Sequence, residues 1–477
     1  MPISYTEALT IVTSVAEDNV PRYKHDTDKV PASKALGRVL AVDLVSLTAT
    51  PPFDTSAMDG YALSSTMTAS ASPSHPVSFR CVGSIAAGDR PLTVSAEYVD
   101  ESGIPPCVEI MTGARFPRSG AGVSELDACI PVEHVTLRRD LGRTEGQYIE
   151  VVGPVRAMQH RRLAGSDFRA SDIVRKAGEA VRLQDLMTMA SLGVDSARVL
   201  RRINVGIWST GAEVASSGSN ILNGDGDAQI RDANGPFLTE TMKHLGVDVQ
   251  FLGILHDDVA KTAAAISAVT GSQDFDVLIT TGGVSAGKFD HVREAVESIG
   301  ACIQFHKVAM RPGHPVLFAT LPRTAPAPSN GVDSATSCCE RLGAAFFGLP
   351  GNPVATAICL RMLVVPYLQQ LGCLPPESSI LARVVTAPVS SSTTNGHACK
   401  GSDIVMKIPV HSDVFRHGQL QVRDNSLEVE INPEQGSSGL RSFAQSNCWV
   451  HVPKGHGDLK AGELMRCLSL IPGQALL

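Results

Sequence analysis

The chain has 477 residues, a formal net charge of −7 and a hydrophobic fraction of 43%. These values are typical of a globular protein with room for about three domains of roughly 150 residues each. The acidic balance argues against nucleic-acid binding through bulk electrostatics, and the sequence has no uncharged apolar run of the ~18 residues that a membrane-spanning helix needs. The eleven cysteines are scattered and none has Cys-x-x-Cys spacing, which disfavours a zinc site or disulfide framework and favours a cytoplasmic setting.

The N-terminal part is predicted to contain one domain inserted into another. Ser4 and Glu7 have the Ser/Thr-x-x-Glu spacing of a capping box, which predicts the start of a helix. A short helix and then a strand are expected over 32–48. Short alternating apolar segments between 62 and 150 predict β structure, and helical periodicity returns over 183–190. The predicted domains are a β insertion over 51–152 and a discontinuous α-containing domain formed by 1–50 and 153–200.

From residue 201 to about 372, strands and helices are predicted to alternate, which indicates an α/β domain with an open, mostly parallel sheet. Residues 322–343 are rich in Pro, Ser, Ala and Thr and are expected to form a disordered surface insertion. Short β segments from 373 to 477 predict a small C-terminal β-barrel domain. The strands expected in the α/β domain are 203–207, 249–254, 277–279, 303–310, 316–321 and 344–349.

One strand, loop and helix form the centre of the predicted site. The apolar run 277–279 predicts a strand buried on both faces. It leads into Gly282 and Gly283, where a ligand can approach the backbone closely. Apolar spacing after residue 290 predicts a helix, whose first N–H groups form an anion site. Asp290 at that helix start can be a simple cap, but beside a phosphate it requires a cation, which predicts a phosphate–Mg²⁺ site.

Three more loops are predicted to meet at the same edge of the sheet, where open α/β sheets bind ligands. They combine hydroxyls, acids, an amide and a rigid turn, and Lys307 and Arg311 add positive charge nearby. Each loop alone is compatible with a helix cap or an ordinary turn. Together they suit a phosphorylated ligand with a divalent metal. The loops are 209–213, 231–234 and 350–353.

Eight short motifs follow one another along the chain. They are FDTSAMDGYA (53–62), MTGA (111–114), RLAGSD (162–167), STGAE (209–213), DAN (232–234), TGGVSAG (281–287), MRPGHP (310–315) and LPGNP (349–353). The set resembles the molybdopterin molybdenumtransferase family, which includes bacterial MoeA and the E domain of gephyrin. The resemblance implies a homodimer and a reaction in which adenylylated molybdopterin and molybdate give molybdenum cofactor and AMP with Mg²⁺.

The resemblance also implies roles for individual residues. Asp290 and Asp232 would hold Mg²⁺ with Glu213 near, and Lys307 and Arg311 would hold molybdate or a phosphate. Asp59 and Thr112 belong to the β insertion, which in the family reaches the site of the partner subunit. The other implied substrate-binding residues are Thr210, Gly211, Asn234, Thr281, Gly282, Gly283, Ser285, Pro312, Gly313, Pro350, Gly351 and Asn352.

Several residues depart from the family pattern. Arg311 replaces the usual Lys, His314 stands where Lys is frequent, Ala355 replaces the usual Ser, and Lys288 stands where many relatives have an acid. One alternative is therefore an impaired member that acts as a molybdopterin-binding dimeric scaffold, although a drifting non-enzyme is expected to lose costly buried acids.

A second alternative is an α/β enzyme that adenylylates molybdopterin, but such relatives lack the flanking β domains. We expect an active molybdopterin molybdenumtransferase in the cytoplasm. A fused or docked molybdopterin adenylyltransferase is the candidate partner.

Overall fold

The computed structural model describes residues 2–99, 103–140, 145–215, 230–272, 275–284, 291–322, 342–385 and 404–473. The chain forms two compact units. One unit is continuous in sequence and comprises Lys29–Val199. The other, the second unit, combines Met1–Asp28 with Leu200–Leu477.

The unit Lys29–Val199 is built around a six-stranded sheet. Its alternating apolar positions bury Tyr61, Phe79 and Tyr148 almost completely. Four of its strands overlap β segments predicted between 62 and 150, whereas Gly60–Leu63 and Val135–Asp140 were not predicted individually. The strands, in sheet order, are Ala128–Pro131, Gly60–Leu63, Pro106–Ile110, Val77–Ile85, Glu145–Val151 and Val135–Asp140.

The rest of this unit consists of short elements around the helix Leu183–Ser191, which confirms the helical periodicity predicted there. The strand predicted within 32–48 is shorter than expected, because Val39 and Leu40 make only isolated bridges before the strand Leu44–Val45. The other short elements are Thr27–Pro31, Ala32–Lys34, Thr55–Ser56, Ser65–Thr68, Thr93–Val94, Ala96–Tyr98, Arg118–Ser119, Val132–His134, Arg161–Arg162, Ile173–Arg175 and Ser196–Leu200.

The second unit contains the predicted α/β sheet. Its first four strands are parallel, and the last two are antiparallel, so the predicted mostly parallel sheet is confirmed. Val277, Leu278 and Ile279 have no exposed surface, as expected for a strand covered on both faces. The strands, in sheet order, are Asp248–Leu255, Asn204–Thr210, Val277–Thr281, Leu342–Leu349, Leu317–Pro322 and Cys302–His306. The helices of this unit are Tyr5–Lys24, Asn234–His244, Val259–Ser272, His291–Ser298, Pro353–Leu371 and Leu440–Ala444.

The single strand predicted over 303–310 is wrong. The segment forms two strands, Cys302–His306 and Val308–Arg311, which belong to different sheets. Lys307 between them has φ 75°, and a residue in this left-handed region cannot continue an extended ladder. The second strand pairs in parallel with Ile3–Ser4 and with the strand Asp413–Arg423 of the C-terminal domain.

The predicted C-terminal β-barrel is confirmed. Five strands close on themselves because the first also pairs with the last in the circle. Val384, Val414, Val429 and Val450 fill its interior with no exposed surface. Residues 323–341 of the predicted insertion lie outside the described residues. The barrel strands are Asp413–Arg423, Ser426–Ile431, Ile380–Val385, Leu464–Ser469 and Cys448–Val452.

The helix Pro353–Leu371 is long and apolar enough to cross a membrane, but 83% of its apolar window is buried inside the protein. Its middle turn, Leu360–Val364, is a π-helix. Arg361 in that turn is buried, forms an ion pair with Glu377, and donates from Nε to the Ser469 carbonyl at 3.0 Å. These contacts compensate the charge of Arg361, whose burial without a partner in an apolar core would be costly. The burial is that of a core helix.

A buried histidine makes the stability of the barrel dependent on pH. His417 is 1% exposed, and its Nδ1 lies 2.9 Å from Ser446 Oγ. Burial, and then the charge of Arg416, lower the pKa of His417 to about 4. The unfolded chain therefore binds the proton first, so stability present above pH ~6.5 is lost as pH falls through ~4. The shift in the pKa of His417 corresponds to about 3 kcal/mol in the free energy of unfolding. Solvent screening reduces the expected loss of stability to about 2 kcal/mol.

We expect His417→Asn to remove this pH dependence. Trp449 lies 5.9 Å from His417 between ring centroids, so its fluorescence in a Trp208→Phe background reports the barrel. Denaturant unfolding at pH 7, 5 and 4 should show a smaller loss of stability in His417→Asn than in the parent. His411→Asn, which changes an exposed histidine, is the control. Equal losses in all three proteins would contradict the prediction.

Candidate functional site

A cleft of about 800 Å³ lies at the carboxyl ends of the parallel strands in the second unit. This is the edge at which open α/β sheets bind ligands. The loops predicted to meet here do meet, because parallel strands bring their carboxyl ends to one edge. Of the predicted residues, those that line the cleft are Thr210, Gly211, Glu213, Asp232, Asn234, Thr281, Gly282, Gly283, Pro350, Gly351 and Asn352.

The other predicted site residues have different positions. Asp290, Ser285 and Lys288 lie outside the described residues. The helix that was expected after Asp290 begins at His291. Among the described residues, four predicted ones are absent from the cleft wall, although Pro315 from the same segment is part of it. These four are Lys307, Arg311, Pro312 and Gly313.

Asp232 has a fixed orientation in the cleft. Its Oδ2 accepts a hydrogen bond of 2.6 Å from Ser209 Oγ, and its Oδ1 accepts one of 2.9 Å from the Gly235 backbone N–H. A carboxylate oxygen can accept more than one hydrogen bond or ligand. Asp232 is therefore oriented by its own loop and retains capacity for a cation.

Glu213 lies against the backbone at the end of the first strand. A Cβ at Gly211, which has φ 132°, would come within 2.6 Å of Glu213 Oε2. A Cβ at Gly282, with φ 100°, would come within 2.8 Å of the Thr210 carbonyl oxygen. Both positions favour glycine, because φ is positive at each and because Gly282 lies against the Thr210 backbone and Gly211 against the Glu213 side chain. This part of the cleft wall therefore combines a carboxylate with closely packed backbone.

A buried hydrogen-bond network joins three loops of the cleft. Asn234 Nδ2 donates to Thr281 Oγ1 at 2.8 Å and to the Gly351 carbonyl at 2.7 Å. Thr281 Oγ1 and Thr356 Oγ1 donate to the Pro350 carbonyl at 3.1 and 2.5 Å. Asn234 and Thr281 therefore hold the turn that contains Gly351. Sequence reasoning missed Thr356, whose only signal was a hydroxyl in the first turn of a core helix.

Asp257 is a second cleft residue that sequence reasoning missed. It lines the cleft, and its Oδ1 lies 3.6 Å from Nδ1 of the buried His291. The His291 ring also packs against Gly283, because a Cβ there would lie 2.5 Å from His291 Cε1. This pair fixes the start of the helix that follows Asp290 to the wall of the cleft.

Two arginines lie close together where the α/β domain meets the barrel. Burial, and then the charge of Arg311, lower the pKa of Arg416. Its buried Nε has no hydrogen-bond partner among the described residues. Adjacent guanidinium groups with an unused donor form a favourable site for an anion. Sequence reasoning missed Arg416, which the parallel pairing of Arg311 with Val414 brings into place.

Comparisons with known proteins match nearly the whole chain. Family models described as "MoeA N-terminal region (domain I and II)", "Probable molybdopterin binding domain" and "MoeA C-terminal region (domain IV)" match residues 3–193, 206–370 and 407–470. A molybdopterin molybdenumtransferase of Synechococcus elongatus is 31% identical over 470 residues, which cover 98% of this chain and 100% of the relative. The chain belongs to the molybdopterin molybdenumtransferase family.

Further comparisons agree with this assignment. A molybdopterin molybdenumtransferase of Haemophilus influenzae is 29% identical, covering 92% of each chain. The crystal structure of a molybdopterin biosynthesis MoeA protein from Pyrococcus horikosii has a TM-score of 0.71 at 23% identity, covering 98% of this chain and 99% of that one. The predicted family, its multidomain α/β fold and the assignment to a family of transferases are confirmed.

The cleft of this molybdopterin molybdenumtransferase family member offers carboxylates that fit Mg²⁺ when substrate phosphates supply the other ligands. Among residues in the described ranges, no group of three His, Cys, Asp or Glu side chains could hold a metal by itself. Mg²⁺ is commonly held by one or two carboxylates and by substrate phosphate oxygens. The oriented Asp232 and the nearby Glu213 supply carboxylates of this kind.

Asp59 and Thr112 lie in the other compact unit, where they form a pair. The Thr112 N–H and Oγ1 donate to Asp59 Oδ1 at 2.6 and 2.8 Å. The backbone bond, followed by the hydroxyl bond, lowers the pKa of Asp59. Both residues are exposed. The two family motifs that carry them therefore form one ionised surface feature.

Proposed function

We propose that the protein inserts molybdate into adenylylated molybdopterin and releases AMP and molybdenum cofactor in an Mg²⁺-dependent reaction. The observation that supports this most strongly is the cleft in which an oriented Asp232 lies beside close-packed glycine backbone. Charge-neutralising groups and backbone donors are what a phosphoryl-containing substrate requires. The relatives of this chain are named for the same transfer.

The residues have separate tasks in the proposed reaction. Gly282 and Gly283, with Ser285, would receive the phosphates, and Asp232 and Asp290 would hold Mg²⁺. When bound, Mg²⁺ neutralises the phosphates and polarises the bond to AMP. Ser209 and the Gly235 N–H keep Asp232 in place, so that little reorganisation accompanies the reaction.

In this proposal the molybdate is held by the basic half of the site, which consists of Lys307, Arg311 and Arg416. Lys307 and Arg311 were expected there from the family resemblance, and Arg416 adds a second guanidinium beside Arg311. Molybdate is an oxyanion, so paired guanidinium groups compensate its charge and bind its oxygens. Arg416 thereby offsets the departures from the family pattern at His314 and Ala355.

We further propose a cytoplasmic homodimer that receives adenylylated molybdopterin from an adenylyltransferase. In a dimer, the paired Asp59 and Thr112 of one subunit complete the cleft of the other. The retained, oriented Asp232 favours an enzyme over a molybdopterin-binding scaffold.

The direct test is to incubate the purified protein with adenylylated molybdopterin, Mg²⁺ and molybdate and to measure AMP. We expect AMP release that requires both molybdate and Mg²⁺ and stops after chelation. Tight substrate binding without molybdate-dependent AMP release would instead support the scaffold. The absence of both substrate binding and AMP release would contradict the assignment to this substrate.

A double variant tests the altered basic half. His314 Nδ1 lies 2.7 Å from the Val308 carbonyl, and Ala355 is 3% exposed at the start of a core helix. We expect Ala355→Ser with His314→Lys to lower the molybdate concentration needed for half-maximal AMP release by about threefold to tenfold. The reason is that a lysine charge and a hydroxyl both favour an oxyanion, each by about 0.5 kcal/mol.

Molybdate titrations of AMP release in the wild type and the double variant measure this effect. Superimposable curves for wild type and double variant would show that Arg311 and Arg416 suffice.

A further inference from the structure

Two cysteines lie side by side on neighbouring strands of the six-stranded sheet. Cys81 on Val77–Ile85 and Cys107 on Pro106–Ile110 are direct partners in parallel register. Adjacent strands are about 4.8 Å apart, and disulfides join cysteines whose Cα atoms are about 4.4–6.8 Å apart. The register therefore places the two sulfurs on one face of the sheet and within range of a bond.

The two thiols have unequal environments. Cys81 is half-buried, whereas Cys107 has no exposed surface. A hydrogen bond from the Cys107 thiol lowers the pKa of Cys81 to about 6, and burial raises the pKa of Cys107. At neutral pH, Cys81 is therefore mainly a thiolate and Cys107 a thiol. A reachable thiolate beside a protonated thiol has the arrangement of an attacking and a resolving cysteine.

The backbone at this point is irregular. The pairing of the two strands shifts register between Cys81 and Ser84, and Cys81 Sγ lies 3.4 Å from the Gly83 carbonyl within that stretch. A bulge of this kind bends a strand and interrupts its ladder locally. The sulfur of Cys81 can therefore move toward Cys107 without breaking a continuous run of hydrogen bonds.

We propose that Cys81 and Cys107 form an oxidative modification site whose reactant is a hydroperoxide. The Cys81 thiolate attacks one peroxide oxygen, the O–O bond breaks, and the departing oxygen takes up a proton. Sulfur is oxidised by two electrons to a sulfenic acid, and the peroxide is reduced. The Cys107 sulfur then attacks Cys81, the S–O bond breaks, water leaves with the Cys107 proton, and the disulfide forms. A dithiol reductant restores both thiols by exchange.

Two other features of the chain provide internal comparisons. Cys448 and Cys467 are neighbours in the barrel but have no exposed surface, so we expect peroxide to leave them unchanged. Cys302 is exposed and has no described cysteine partner, so it can be oxidised but cannot form the proposed bond. Peroxide should therefore give a disulfide at Cys81 and Cys107 but a different oxidation product at Cys302. The barrel pair should not react at all.

The first experiment treats the full-length protein with hydrogen peroxide at pH 7, blocks remaining thiols and analyses non-reduced peptides by mass spectrometry. We expect a Cys81–Cys107 linked peptide in the wild type and none in Cys81→Ser. In Cys107→Ser, which lacks the resolving thiol, a dimedone adduct should accumulate at Cys81. Oxidation of Cys81 without the linked peptide, or dimedone labelling of Cys81 no faster than of Cys302, would overturn the proposal.

A second experiment needs no variant. Iodoacetamide alkylation of Cys81 in the folded wild type should have a pH midpoint near 6, against about 8.5 for the guanidinium-unfolded chain. At pH 6 the folded form then has about 150 times more thiolate, and its lower nucleophilicity offsets most of this, which leaves a rate about tenfold higher. A folded midpoint at or above the unfolded one would overturn the proposal. Neither experiment depends on molybdate or on AMP release.

Discussion

Asp232→Asn is expected to reduce molybdate-dependent AMP release by at least about 100-fold while the protein remains folded. Asparagine keeps an oxygen that accepts from Ser209 or from the Gly235 N–H, but it removes the negative charge proposed to hold Mg²⁺. Loss of one preorganised electrostatic group typically costs about 10²–10³ in rate. AMP release at saturating substrate and far-ultraviolet circular dichroism together measure the effect.

Two variants separate charge from local structure in this prediction. Asp248→Asn removes an exposed carboxylate that pairs at 3.3 Å with Arg202, which lies just before the strand Asn204–Thr210, and it should leave the rate unchanged. Ser209→Ala removes the 2.6 Å bond to Asp232 but leaves its charge, so it should cost about tenfold. If Asp232→Asn behaves like Asp248→Asn, Asp232 only caps its own loop.

Asp59→Ala is expected to inactivate the protein by a similar factor, although Asp59 lies in the other compact unit. In the proposed homodimer its carboxylate completes the partner's cleft. Mixing Asp59→Ala with Asp232→Asn should therefore restore activity after subunit exchange. Half of the dimers are then mixed, and each has one intact cleft of two, which gives about a quarter of wild-type activity.

The matched control for this experiment mixes Asp59→Ala with Thr112→Ala. Both lesions affect the same surface feature, since Thr112 donates two hydrogen bonds to Asp59. Every cleft in such a mixture contains one of the lesions, so no activity should return. Exchange is verified by copurification of differently tagged subunits. Exchange without recovery in the first mixture would exclude a shared cleft.

The parts of the fold that depend on local chemistry were predictable. The Ser4–Glu7 capping box is present, with Glu7 N–H donating to Ser4 Oγ at 3.2 Å and Ser4 N–H to Glu7 Oε2 at 2.8 Å. Residues of four distant loops were correctly expected at one edge, because parallel strands place their carboxyl ends together. The buried strand before Gly282 could be recognised from three apolar residues and the glycines that follow.

The features that escaped prediction depend on non-local pairing or on a single backbone angle. Apolar spacing over 303–310 suggested one strand, since spacing carries no information on the sign of φ at Lys307. Arg416 joins the site only because a barrel strand pairs with Val308–Arg311. Thr356 and Asp257 act through tertiary contacts to Pro350 and His291. No sequence period encodes such contacts.

The strand Val308–Arg311 has a consequence for how the protein can be handled and fused. It pairs with Ile3–Ser4 on one side and with the barrel on the other, and the Ile3 N–H donates to the Lys307 carbonyl at 3.3 Å. In the sequence, Ile3 is preceded by Met1 and Pro2, so an attachment at residue 1 lies two residues from this ladder. A purification tag or an upstream enzyme domain joined there without a spacer would pull directly on the segment that ends in Arg311. Carboxyl-terminal attachment, beyond the last barrel strand Leu464–Ser469, avoids that mechanical link.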